Sequence, residues 1–291
     1  MSDELRMDLA DCRSPEEIIS AFLRHYPNLT IPVPIEEIAE AVGICEIKGM
    51  DTDGFQGALV ANPEKSSGVI LVQQAARGDR RRFTIGHELG HFLIPYHGWD
   101  LRCTKADMAV QRSRDPVKHI EAEANRFAAS LLMPKPYYLK HMRQLGNADM
   151  AHIMELKRLY QTSVEATINR YAELTDDTCA FVMSKDGIVR YVRPSRDFPC
   201  LAIRSQMPLP AGSFSVDMPA MPLRKPSQWC EIDGSVWLDV PVGQRAPRLL
   251  EQAMRQDKGY QITLLFLDEI EEEEEDEQIE MEDRWTARYR R

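Results

Sequence analysis

At 291 residues, 43% of them apolar, the chain is long enough for two domains, or three small ones, each with a buried core. Its longest apolar runs, 127–133 and 262–267, are far too short to span a bilayer, and six scattered cysteines with no Cys-x-x-Cys fit a reducing cytoplasm. A net charge of -10 gives no sign of the basic surface that non-specific nucleic-acid binding needs.

Residues 1–14 are polar and acidic, an N-terminal extension rather than a charged-then-apolar leader. Ser14-Pro15-Glu16-Glu17 is a capping box with proline at the first helical position, opening a helix to about His25. A second helix runs over 34–42 and is closed by Gly43. Segments 44–48, 55–61 and 69–73 read as strands, the last two joined by a polar turn at 62–68. This predicts a small sheet, one edge of which binds substrate backbone by strand addition; a proline at Val72 is the expected test.

The helix that follows, over 79–95, starts at Asp79 as a cap, ends at Pro95 and contains His87-Glu88-Leu89-Gly90-His91. Imidazoles at i and i+4 share a helix face and reach one metal ion, and the glutamate between them stands where it can take a proton from water. The plainer alternative is two ordinary histidines on an amphipathic helix. Gly86 and Gly90 each cost about 1 kcal/mol of helix propensity against alanine, and so predict a neighbouring backbone at close approach. For the third ligand, His97 completes a His-x3-His-x5-His spacing but lacks a glycine where Ile94 stands. Glu121 opens an alanine-rich helical run stopped by Pro134 and shares a face with Asn125, placed to orient a ligand imidazole from behind. Glu121 is preferred, with Glu123 as its register neighbour and His97 as the geometric rival. Cys103, on a loop-like stretch between the two segments, is an ordinary free thiol or else a thiolate that occupies the open metal position.

Arg82-Phe83-Thr84-Ile85-Gly86-His87-Glu88-Leu89-Gly90-His91, followed by Glu121-x-x-Ala124-Asn125-x-Phe127-Ala128-Ala129-x-Leu131-Leu132-Met133-Pro134, resembles the ImmA/IrrE family of zinc metallo-endopeptidases. The segment 31–43 resembles that family's opening helix, and the likeness covers about residues 15–175. It implies Zn2+ ligands at His87, His91 and Glu121, Glu88 as catalytic base, and a helix-turn-helix transcriptional repressor as the protein cut or otherwise inactivated. Three protein ligands leave zinc a position for water, the mark of a catalytic site. Tyr96, His97, Tyr137 and Tyr138 are candidate donors to the oxyanion.

Segments 149–160 and 164–174 form two helical patterns around a short turn, with Thr162-Ser163-Val164-Glu165 as a capping box. They are either a helix-turn-helix with Lys157, Arg158 and Arg170 on phosphates, or two helices packed on a core. Beyond 176, strands are expected at 179–184, 188–192, 235–240 and 260–267, with a helix at 248–255. Residues 268–283 hold twelve acids and no base, and 284–291 add four arginines, so the total of -10 leaves -2 for residues 1–267.

The expected architecture is α+β: a zincin-like metallopeptidase domain over 15–140 and a helix-turn-helix-like segment over 141–176. An α+β regulatory or partner-binding domain over 177–267 and an acidic then basic solvated tail over 268–291 complete it. The expected function is a cytoplasmic zinc endopeptidase that cuts a repressor and so derepresses a stress or mobile-element response, with DNA binding open and no membrane partner. The rivals are a non-catalytic regulator with a structural zinc and, more remotely, a small-molecule hydrolase.

Overall fold

A computed structural model describes residues 3–12, 14–51, 54–76, 78–109, 115–217, 222–241 and 243–267. The charged tail at 268–291 lies outside the described residues. The fold is mixed α+β, with eight α-helices and two sheets among the described residues. It forms two compact units, Met1–His141 with Glu155–Arg170, and Met142–Met154 with the chain from Tyr171 onward.

In the first unit, α1 (Asp3–Ala10) places Leu5 and Leu9 in the core, although its composition reads as a polar extension. Ser14 caps α2 (Pro15–His25), its hydroxyl accepting from the Glu17 amide at 3.2 Å. Gly43, in the left-handed conformation, closes α3 (Ile35–Val42). Strands β1 (Ile44–Met50), β2 (Gly57–Ala61), β3 (Gly68–Gln73) and β4 (Asp100–Cys103) form a sheet in the order β1-β3-β2-β4, with β1 parallel to β3 and the rest antiparallel. Ile70 and Val72 are fully buried on alternate positions of β3, as a half-buried strand requires. Val72 thus stands in an interior strand, so a proline there tests the sheet and not its edge; the free edges are β1 and β4.

The helix α4 (Gly78–Leu93) lies between β3 and β4 in the chain. Asp79 sits one residue inside it, and its carboxylate accepts from the adjacent Arg80 amide. After α4 and β4 come α5 (Pro116–Leu132), α6 (Lys135–Leu145), α7 (Met150–Tyr160) and α8 (Val164–Leu174). Pro134 stops α5 as expected, and the chain enters α6 one residue later. At the start of α8 it is Ser163 that caps, accepting from the Ala166 amide at 3.1 Å, while the Thr162 hydroxyl turns to Thr167 at 2.9 Å.

The second unit carries an antiparallel sheet in the order β6-β5-β9-β8-β7, built from β5 (Cys179–Lys185), β6 (Ile188–Pro194), β7 (Cys230–Asp233), β8 (Arg248–Arg255) and β9 (Tyr260–Phe266). Residues 248–255, expected as a helix from their Leu, Glu, Gln, Ala and Met content, are instead β8, paired on both sides. Tertiary context overrides propensity there. The Glu251 carboxylate is fully buried and accepts from Ser213, Ser215 and Trp237. The stretch 235–240 is a short 3-10 turn followed by a single antiparallel bridge, Leu238 to Leu201, rather than a strand.

Candidate metal centre

From Thr84 to Leu93 every residue of α4 is buried, polar and apolar alike. Such a helix is buried on all sides, and its glycines show how. A Cβ on Gly86 would meet Ala128 Cβ at 3.3 Å, and one on Gly90 would meet Phe127 Cδ1 at 3.0 Å and Ala124 Cα at 3.2 Å. Helix α5 therefore lies directly on α4 and turns Glu121 and Asn125 towards the two histidines.

The His87 and His91 rings meet edge to face, and their Nε2 atoms stand 3.1 Å apart. Glu121 Oε2 lies 3.2 Å from His87 Nε2 and 3.6 Å from His91 Nε2. Cys103, the last residue of β4, places its sulfur 3.6 Å from His91 Nε2 and 3.8 Å from Glu88 Oε2. The donor atoms of His87, His91, Cys103 and Glu121 all lie within 4.8 Å of one another, and all four residues are buried.

The two rivals of Glu121 stand behind this group. His97 Nδ1 lies 3.0 Å from His91 Nδ1, and His97 Nε2 lies 3.4 Å from Glu123 Oε2. Tyr96 donates to the other Glu123 oxygen at 2.7 Å. Asn125 stands behind His87: its Nδ2 donates to the Asp107 carbonyl, so its Oδ1 accepts from His87 Nδ1 at 2.8 Å. That hydrogen bond puts the His87 proton on Nδ1 and leaves Nε2 as a lone pair facing the cluster. With His91 Nε2 likewise free to ligate, Nδ1–H donates to His97, and His97 Nε2–H donates to Glu123.

The electrostatics follow from burial and charge. Burial raises the Glu88 carboxyl to about 7, against the pull of His87 and Cys103. Burial also works to raise Glu121, but where His87 or His91 carries a proton on Nε2 it outweighs burial and holds that carboxyl down at about 2. Desolvation pulls His97 down to about 3. Burial, together with the Glu88 and Glu121 carboxylates, pushes the Cys103 thiol up; a cation among these groups would reverse that field.

The donor set fits zinc. Two imidazole nitrogens that face each other, and a buried Glu121 Oε2 with no hydrogen-bond partner, are costly arrangements that an ion would relieve. Nitrogen, oxygen and sulfur donors in one buried group suit Zn2+ better than the all-oxygen metals. Glu88 Oε1, fully buried, also has no hydrogen-bond partner. It fills space that only glycine leaves, since a Cβ on Gly57 would meet it at 2.4 Å.

Other residues that shape the site carry no local signal in the sequence. Lys65, in the β2–β3 turn, donates to the carbonyls of His91 and Ile94 at 2.7 and 2.8 Å, closing the C-terminal end of α4. Burial brings its ammonium down to about 8. Of the expected oxyanion donors, Tyr137 donates to Pro27 and Tyr138 to Thr167, so both hydroxyls are committed elsewhere. Arg170, expected on phosphates, is 7% exposed and donates to the Met133 carbonyl. Arg158 is engaged with Glu155.

Residues 36–171 match the family model of the IrrE N-terminal-like domain. A relative, the radiation response metalloprotease IrrE of Deinococcus radiodurans, is 32% identical over 142 residues. That alignment covers 49% of this chain and 41% of the relative, so the chain spans less than half the length of the curated relative it matches. Among solved structures, a Mycobacterium tuberculosis transcriptional regulator overlays with a TM-score of 0.48 at 15% identity, covering 81% of this chain and 80% of that one. No helix among the described residues is long and apolar enough to cross a membrane.

Proposed function

We propose, from the match of residues 36–171 to the IrrE N-terminal-like domain, that the chain is a zinc-dependent endopeptidase acting on a protein substrate. The observation that carries the reading is Glu88, a fully buried carboxylate with one unpartnered oxygen, beside the group formed by His87, His91 and Glu121. Those three residues would hold the ion. Zinc, when bound, supplies Lewis acidity, acidifying water and polarising a peptide carbonyl.

The chain's own residues do the rest. Asn125 and His97 fix the rings of His87 and His91 from behind, so that both Nε2 lone pairs point inward. Glu88, raised towards neutrality by burial, takes a proton from the attacking water and returns it to the leaving amine nitrogen. The substrate we infer is a helix-turn-helix transcriptional repressor, as the family resemblance implies. Cleavage in the cytoplasm would derepress a stress or mobile-element response, and the relative's name, a radiation response metalloprotease, supports the stress role.

A second reading, a non-catalytic regulator with a structural zinc, is favoured by one observation. Cys103 lies in the donor group, and four protein ligands mark a closed centre. A permanently closed centre, however, gives no use to Glu88.

The test incubates wild type and Glu88→Gln with zinc and purified helix-turn-helix repressors from the same genome, and reads cleavage on a gel. The expected result is a cut by wild type alone, with equal zinc content in both proteins. Equal zinc with no cut of any repressor by wild type, by Glu88→Gln or by Cys103→Ala favours the regulator.

A further inference from the structure

Cys103 is fully buried, yet its surroundings are those of a ligand rather than of a core thiol. A free cysteine in a core acts as a small hydrophobe among apolar neighbours. Here the sulfur faces an imidazole nitrogen at 3.6 Å and a carboxylate oxygen at 3.8 Å. With Zn–N bonds of about 2.0–2.1 Å and Zn–S of about 2.3 Å, a tetrahedral ion sets N-to-N separations of roughly 3.4 Å and N-to-S separations of roughly 3.6 Å. The observed separations are 3.1 Å between the two Nε2 atoms and 3.6 Å from His91 Nε2 to the sulfur. Independently, Glu121 Oε2 is buried, unpartnered by hydrogen bonds and directed at the same two rings.

We propose that Cys103 Sγ is a fourth ligand of the metal and fills the position that hydrolysis needs, so that the folded enzyme is latent until the sulfur withdraws. The proposal rests on the peptidase reading above. As the sulfur–metal bond forms, the S–H bond breaks and its proton is released to solvent. The fold gives the sulfur a route out. Strand β4 is an edge strand paired only with β2, and Cys103 ends it opposite Gly57, so its tip can lift without breaking a second ladder.

Cobalt(II) added to the metal-free full-length chain tests this. Wild type is expected to bind one cobalt per chain, with visible bands of a four-coordinate ion and a thiolate-to-cobalt charge-transfer band in the near ultraviolet. Cys103→Ser and Cys103→Ala are expected to keep the single cobalt, lose the charge-transfer band and, with zinc, cut an unstructured peptide at least tenfold faster than wild type.

One cobalt in wild type without the charge-transfer band, or a band that survives in Cys103→Ala, overturns the fourth ligand and leaves the peptidase reading standing. Variants that lose the band but cut no faster overturn the latency. Cobalt bound as well by His87→Ala as by wild type sinks the metal centre, and both readings with it. Should neither Cys103 variant fold, the wild-type spectrum alone decides, because no other cysteine joins such a donor group among the described residues.

Discussion

Each candidate ligand imidazole has one nitrogen committed to a neighbour, His87 to Asn125 and His91 to His97, and that commitment aims the other. Asn125→Ala should lower zinc affinity about 10–100-fold, as loss of such an orienting partner does, read by competition with a chromophoric chelator. Unchanged affinity would contradict the orienting role. His97 gives a pH prediction. Folded, it stays neutral down to about 3, whereas the unfolded chain takes up its proton below about 6.5. Its contribution to stability is therefore complete above that upper value and is lost as pH falls towards the lower one. In a chelator, wild type should lose melting temperature on acidification more steeply than His97→Gln, and parallel curves would refute this. Glu88 titrates in the opposite sense, but it is common to both proteins and cancels in the comparison. At this scale the sequence was informative about identity and poor about depth. The spacing of His87, Glu88 and His91 places all three on one helix, but three residues, His97, Glu121 and Glu123, competed on spacing alone. Only packing shows that Glu121 faces the rings and that the other two stand behind His91.

At the scale of elements, α4 and α5 depend on a missing side chain. Alanine in place of glycine favours a free helix by about 1 kcal/mol. At Gly90 the added Cβ would press on the Phe127 ring and on the α5 backbone at Ala124, an overpacking that costs about 1–3 kcal/mol. Gly90→Ala should therefore melt lower than wild type, despite its better propensity. A higher melting temperature would mean that the two helices yield easily. The close approach was legible in advance, because two glycines on a helix that carries chemistry need a reason. Three elements were not legible. Strand β4 is four residues long and half charged, α1 reads as a polar extension, and β8 is composed of helix formers. Each takes its form from partners distant in the chain, such as Gly57 for Cys103, or Ser213 and Trp237 for Glu251.

For the molecule as a whole, charge decides what it can touch. The net charge of -10, with Arg170 buried and Arg158 paired, leaves little for a phosphate backbone. A random DNA duplex at low salt should show no retardation by the chain, and Lys157→Ala should change nothing. Salt-sensitive binding that this substitution weakens would restore the helix-turn-helix reading of α7 and α8. The donor group itself has one further consequence, in time rather than in space. All four donors fall between residues 87 and 121, and the first unit is complete by Arg170. At a synthesis rate of about 5–20 residues per second, the stretch from there to residue 267 takes on the order of ten seconds. During that interval the ligands are already outside the ribosome while the second unit is still being made. An ion that these donors hold can therefore be captured by a nascent chain, from whatever metal supply surrounds the translating ribosome.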